Sequence, residues 1–158
     1  MEINLPKRKK TRHPIHDYAS GDYFVTICTN NHIPYFGKIN DGRLIKSAIG
    51  RFTDAVMSEF ETCDGFTQIL QYVIMPNHIH FIVRIKNTND GKTHKLGNFI
   101  GRLKQRVKCY AKSNNIMFDW QRNYYDRIIR DYEEGSLISK YIESNIANWE
   151  ADCYFGMH

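Results

Sequence analysis

Two apolar runs that almost touch constrain this chain most. Phe66 to Met75 and His78 to Ile85 are rich in β-branched and aromatic residues, with Met75-Pro76-Asn77 at the junction. Proline has no amide hydrogen to give a sheet ladder, and both proline and asparagine suit a turn. The pattern predicts a tight antiparallel hairpin. A lone hairpin is marginal in water, so other elements must cover it.

The rest of the chain supplies them. Residues 22–29, Asp-Tyr-Phe-Val-Thr-Ile-Cys-Thr, read as a strand, and residues 123–130 as another strand or an extended segment. Asn30-Asn31-His32 and the Pro34 region read as a loop, Asp41-Gly42 as a turn, and the polar stretch 86–94 as a second loop. Ile49, Phe52, Val56 and Phe60 recur at helical spacing, which predicts a helix from Ser47 to about Phe60 with Ser47 as its N-cap. A second helix is expected from Leu96 to about Ser113, with Phe99, Leu103 and Val107 on one face, and a third from Glu134 to Trp149. The order strand, helix, hairpin, helix, strand, helix predicts an α+β protein, one antiparallel sheet with helices packed on it.

A chain of 158 residues, 42% hydrophobic and 25% charged, can bury one core and has little left for a second. We expect a basic, flexible arm over residues 1–17 and a single domain over 18–158. No apolar run of about 18 residues exists, so a membrane span is not expected. The first dozen residues lack the apolar stretch of a signal peptide. Cys28, Cys63, Cys109 and Cys153 form no close pair, which argues against a disulfide scaffold and a cysteine zinc site and fits a reducing cytoplasm. The net charge of +5 favours a polyanionic partner, nucleic acid first.

Chemistry concentrates in two places. In a strand, His78 and His80 share one face while Ile79, Phe81 and Val83 take the other, which reads as core. Two imidazoles so placed can converge on one divalent ion, and a pair that binds nothing is the competing reading. In the third helix, at about 100° per residue, Leu137, Ile138, Ile142, Ile146 and Trp149 form the buried stripe. Tyr141 and Asn145, one turn apart, fall inside that arc. A tyrosine there is ordinary core material. A buried amide is not, since leaving it unpaired costs about 1–3 kcal/mol, so Asn145 needs a hydrogen-bond partner or a metal. Tyr124, Tyr125 and Tyr132 compete with Tyr141, but none combines a helical face with an amide four residues on.

Together these residues resemble the single-tyrosine HUH transposases, and among them the REP-associated tyrosine transposases of the IS200-like type. The matching stretches are Tyr23–Thr29, Met75-Pro76-Asn77-His78-Ile79-His80 (the histidine, hydrophobic, histidine motif), Trp120–Arg130 and Tyr141-Ile142-Glu143-Ser144-Asn145, in the family's order. The resemblance implies a ferredoxin-like (RRM-like) α+β fold, an antiparallel sheet with helices packed on one face. It implies that His78, His80 and Asn145 bind Mg²⁺ or Mn²⁺ and that Tyr141 attacks the scissile phosphate of single-stranded DNA. The products would be a 5′-phosphotyrosine enzyme and a free 3′-hydroxyl, and a 3′-hydroxyl attacking the adduct would rejoin strands. Free tyrosine has a pKa near 10, so only about 0.1% is ionised at pH 7, and a bound cation would help it. In one place the chain departs from the family, which usually continues as Asn-Pro and a glycine-containing turn. Here Asn145-Ile146-Ala147-Asn148-Trp149 lets the helix run on.

The implied partner is a DNA hairpin formed by a palindromic repeat, and the implied assembly a monomer or a homodimer. Arg102, Lys104, Arg106 and Lys108 on the second helix, with Gln121, Arg122, Arg127 and Arg130 before the third, are the candidate DNA contacts. Two rivals share these features: a non-catalytic module holding structured single strands, and a metal-dependent phosphodiesterase that uses water.

Overall fold

The computed structural model describes residues 21–61, 65–86 and 95–156. The expected arm over residues 1–17 lies outside them. In chain order the elements are β1 (Gly21–Cys28), β2 (Gly37–Asn40), β3 (Arg43–Lys46), α1 (Ala48–Glu61), β4 (Thr67–Ile74), β5 (His78–Ile85), α2 (Leu96–Ser113), β6 (Tyr125–Ile128) and α3 (Tyr132–Ser144). Short 3₁₀ turns occupy Asn30–His32 and Trp149–Ala151.

Four strands form one antiparallel sheet in the order β4-β5-β1-β6. The β4–β5 pair is the expected hairpin. Strand alternation divides its side chains cleanly. Tyr23, Val25 and Ile27 of β1 and Ile79, Phe81, Val83 and Ile85 of β5 join the apolar stripes of α1 and α2 in the main core. Phe60 of α1 meets Phe99 of α2 edge-on, with ring centroids 4.9 Å apart. Phe24 and Ile82 face the other way and pack with Ile138 and Ile142 of α3. The α+β class and antiparallel sheet are as expected. The packing differs in one respect: α1 and α2 share a face, and α3 covers the opposite one.

Ser47 caps α1 as expected, its Oγ accepting from the Gly50 amide at 3.0 Å and donating to the Tyr35 carbonyl at 2.6 Å. A Cβ at Gly50 would lie 2.0 Å from the Phe36 carbonyl oxygen, so only glycine lets the helix start this close to the preceding segment. Asp41 and Gly42 both take positive φ, 48° and 69°, and close the β2–β3 hairpin. Sequence periodicity showed the turn and missed its strands, which are four residues each.

The third helix is shifted from its expected span. It starts earlier, at Tyr132, because the Asp131 side chain accepts from the Glu134 amide at 2.8 Å. It ends at Ser144 and does not run on to Trp149. No proline is needed to stop it. The Asn145 amide donates to the Ile142 carbonyl at 3.3 Å, a three-residue spacing, and asparagine at 145 and 148 favours helix weakly. Leu137, expected in the buried stripe, is 43% exposed, and Ile138 and Ile142 alone are fully buried in α3.

Candidate metal and nucleophile site

The polar face of β5 is not open to solvent. His78 and His80 are fully buried, enclosed by β1, α3 and the segment after it. Their Nε2 atoms lie 3.0 Å apart. Each ring is held from behind. Thr26, directly opposite on β1, places Oγ1 2.7 Å from His80 Nδ1. Asn77, in the hairpin turn, places Oδ1 2.8 Å from His78 Nδ1 and donates through Nδ2 to the Tyr154 carbonyl at 2.9 Å. The Asn77 carbonyl in turn accepts from the Thr29 amide and hydroxyl, at 2.9 and 3.0 Å, which pins the turn to the end of β1.

α3 brings the phenol. The Tyr141 hydroxyl lies 3.4 Å from His80 Nε2. Phe24 stacks on His80 with centroids 5.4 Å apart and meets Tyr141 edge-on at 6.2 Å, so one ring orients both. Asn145, the C-cap of α3, is buried, and its Oδ1 has no hydrogen-bond partner among the described residues.

A further residue enters that sequence reasoning missed. Asp152, eight residues beyond α3, is buried at its side chain, with Oδ2 3.6 Å from His78 Nε2 and no hydrogen bond to that oxygen among the described residues. His78, His80 and Asp152 offer ligand atoms all within 4.8 Å of one another. Tyr154 closes the site, its ring 4.5 Å from that of His78 and 5.3 Å from that of His32. No periodicity marks Asp152 or Tyr154, because neither sits on a strand or an α-helix.

Electrostatics suit a cation. Burial holds both imidazoles below their ordinary range, and for His78 it outweighs the opposing pull of Asp152. The rings are therefore neutral, as metal ligands must be. Burial also raises the Tyr141 phenol, with the Asp152 charge adding to it and a hydrogen bond from Asn145 opposing. Ligand atoms of His78, His80 and Asp152 lie within 4.8 Å of one another, and Asn145 Oδ1 is a further buried oxygen without a hydrogen bond among the described residues. These residue types make a donor set that a hard or borderline divalent ion fits.

The basic candidates are placed less uniformly. Lys104 donates to the carbonyls of Gln121 at 2.7 Å and Asn123 at 3.3 Å and sits over the Trp120 ring, half-buried. Burial pushes its ammonium down to about 8. Arg106 pairs with Glu59 at 2.7 Å, Lys108 with Asp119 at 2.9 Å, and Arg127 with Glu134. Arg102, Arg122 and Arg130 are exposed, and Gln121 is half-buried. A groove of about 350 Å³ between α2 and the segment before β6 is lined by Lys104, Lys108, Trp120, Gln121 and Arg122.

Sheet order, helix placement and the buried histidine pair define an α+β protein with the HUH transposase fold. A REP-associated tyrosine transposase bound to a REP hairpin superposes with a TM-score of 0.59 over 93% of this chain and 88% of that one, at 13% identity. A transposase candidate from Deinococcus radiodurans R1 gives 0.48 at 15% identity, over 87% of this chain and 97% of that one. The first of these has the fold that the sequence resemblance implied. No family model matches. An uncharacterised protein of Haemophilus influenzae strain Rd is 32% identical over 164 residues, 92% of this chain and 91% of its own length, and this chain belongs to its family.

Proposed function

We infer that this protein is a divalent-metal-dependent transposase or endonuclease that cuts and rejoins single-stranded DNA through a tyrosine adduct. The observation that carries the reading is the Tyr141 hydroxyl 3.4 Å from His80 Nε2, with the Asp152 carboxylate 3.6 Å from His78 Nε2 in the same pair of rings. His78 and His80 would hold Mg²⁺ or Mn²⁺, with Asn145 and Asp152 as oxygen ligands; Asp152 extends the set read from the sequence. The bound ion supplies positive charge to the scissile phosphate and to an ionising phenol.

The chain's own residues do the rest. Tyr141 is the nucleophile: its oxygen gives up its proton and bonds to phosphorus in line, the 3′-oxygen of the neighbouring nucleotide leaves and takes up a proton as a free 3′-hydroxyl, and a 5′-phosphotyrosine link remains. Attack by a 3′-hydroxyl reverses the step and releases Tyr141. Phe24 fixes the angle between phenol and imidazole, and burial keeps Tyr141 protonated until charge arrives beside it. The phenol and the histidines meet within one chain, which supports a protomer that completes its own site. Among the described residues no helix is long and apolar enough to cross a membrane. We place the protein in the cytoplasm with hairpin DNA as its substrate, the groove beside Trp120 and Arg122 serving as one contact surface.

A denaturing gel tests this reading. With a labelled hairpin oligonucleotide and Mn²⁺, the wild type should form a covalent adduct that Tyr141→Phe abolishes. Cleavage without adduct would identify a water-using phosphodiesterase, and binding without cleavage a non-catalytic module; either outcome overturns the assignment.

A further inference from the structure

We propose that His80 changes ring tautomer when the divalent ion binds, and that the Thr26 hydroxyl permits the change by turning from hydrogen-bond donor to acceptor. This rests on the metal reading above and adds Thr26 as a positioning residue.

With both rings neutral, the contacts to Asn77, to Thr26 and between the rings admit one assignment without metal, in which the Tyr141 hydroxyl, 3.4 Å from His80 Nε2, is a neighbour and not a donor to it. Asn77 spends Nδ2 on the Tyr154 carbonyl, so Oδ1 is the atom it turns to His78, and His78 Nδ1–H donates to it at 2.8 Å. A neutral His78 ring then has a bare lone pair at Nε2. His80 Nε2 lies 3.0 Å away and supplies the hydrogen for that contact. His80 Nδ1 is left bare, and the Thr26 hydroxyl donates to it at 2.7 Å. The donors run in one direction, from Thr26 through His80, His78 and Asn77 to the Tyr154 carbonyl.

A cation held by both Nε2 atoms needs a lone pair from each. His78 already presents one. His80 does so only if its hydrogen sits on Nδ1. One hydrogen leaves Nε2 and one is taken up at Nδ1, so the ring stays neutral throughout. Thr26 Oγ1 faces Nδ1 in both states, and a hydroxyl can donate or accept by turning its hydrogen. A methyl group can do neither. A valine at this position would leave the Nδ1–H of the loaded state buried without a partner, because Thr26 and His80 are both almost wholly enclosed.

Long-range ¹H–¹⁵N correlation spectra of the full chain distinguish the tautomers. His80 should carry its hydrogen on Nε2 without metal and on Nδ1 with Mg²⁺, while His78 carries its own on Nδ1 in both. By calorimetry, Thr26→Val should weaken Mn²⁺ binding about 10- to 100-fold, the range for partners behind a metal ligand. Thr26→Ser should restore it. An unchanged His80 tautomer in a protein that binds the ion overturns the proposal and leaves the metal site standing, as does wild-type Mn²⁺ affinity in Thr26→Val. A wild type that binds neither ion overturns the metal reading and the proposal with it.

Discussion

Asp152 turns a carboxylate oxygen toward a buried, neutral imidazole and receives no hydrogen bond there among the described residues. Without metal that arrangement is a burden, since an unsatisfied buried group costs about 1–3 kcal/mol and a charged one more. In the proposed metal site the same oxygen would be a ligand. Asp152→Asn keeps the shape and removes the charge. It should raise the melting temperature in chelator and lose most of the rise that Mn²⁺ gives the wild type, an increment of about 2.7 kcal/mol at a hundred times Kd. Thermal melts with and without Mn²⁺ check both halves. A lower melting temperature in chelator with the Mn²⁺ rise intact would make Asp152 a structural residue. The same residue shows where sequence reading stops. His78 and His80 were visible through strand alternation, and Tyr141 and Asn145 through the helical period, because each pair repeats on one regular element. Asp152 joins them only through the folded path of the chain after Ser144, which no local period encodes.

α3 carries the phenol on little apolar support, with Ile138 and Ile142 its fully buried residues. Its start is held by polar contacts: Asp131 accepts from the Glu134 amide at 2.8 Å, and the Glu134 carboxylate accepts from the Arg130 amide at 2.9 Å. Asp131→Ala should therefore cost about 1 kcal/mol in urea denaturation, as should Ser47→Ala at the cap of α1. Only the first should also slow adduct formation in single turnover, because Tyr141 rides on α3 while α1 lies on the far face of the sheet. Equal rates in the two variants would mean that α3 is positioned by its packing alone. Legibility at this scale followed pattern strength. β5 and α2 have the bounds their sequence period predicts, since long apolar alternation and a repeated helical stripe leave little freedom. β2 and β3 are too short to show a period, and the end of α3 depends on weak asparagine propensities that a periodic stripe through Trp149 concealed.

At the scale of the whole molecule, several cations among the described residues are held by partners within the chain. Lys104 shows it most clearly, tying α2 to the segment that leads into β6 through the carbonyls of Gln121 and Asn123. Burial lowers its folded-state pKa to about 8, against roughly 10.4 for a free lysine. Below pH 8 both folded and unfolded chains hold the proton, and the folded state bears the full burden of the buried charge. Between about 8 and 10.4 the folded chain releases its proton first, the unfolded chain binds more, and stability contributed by this group rises with pH. The buried tyrosines act oppositely at the alkaline end, since Tyr72, raised to about 12, is protonated in the folded state when the unfolded chain has begun to ionise. Comparing wild type with Lys104→Met cancels them, because both chains keep those tyrosines. The wild type should gain stability relative to the variant as pH is raised from 8 to about 10.4, read from urea midpoints at each pH. Parallel profiles would mean that the carbonyl contacts keep the ammonium charged, and Lys104 would then remain a cation available to the groove beside Trp120 throughout that range.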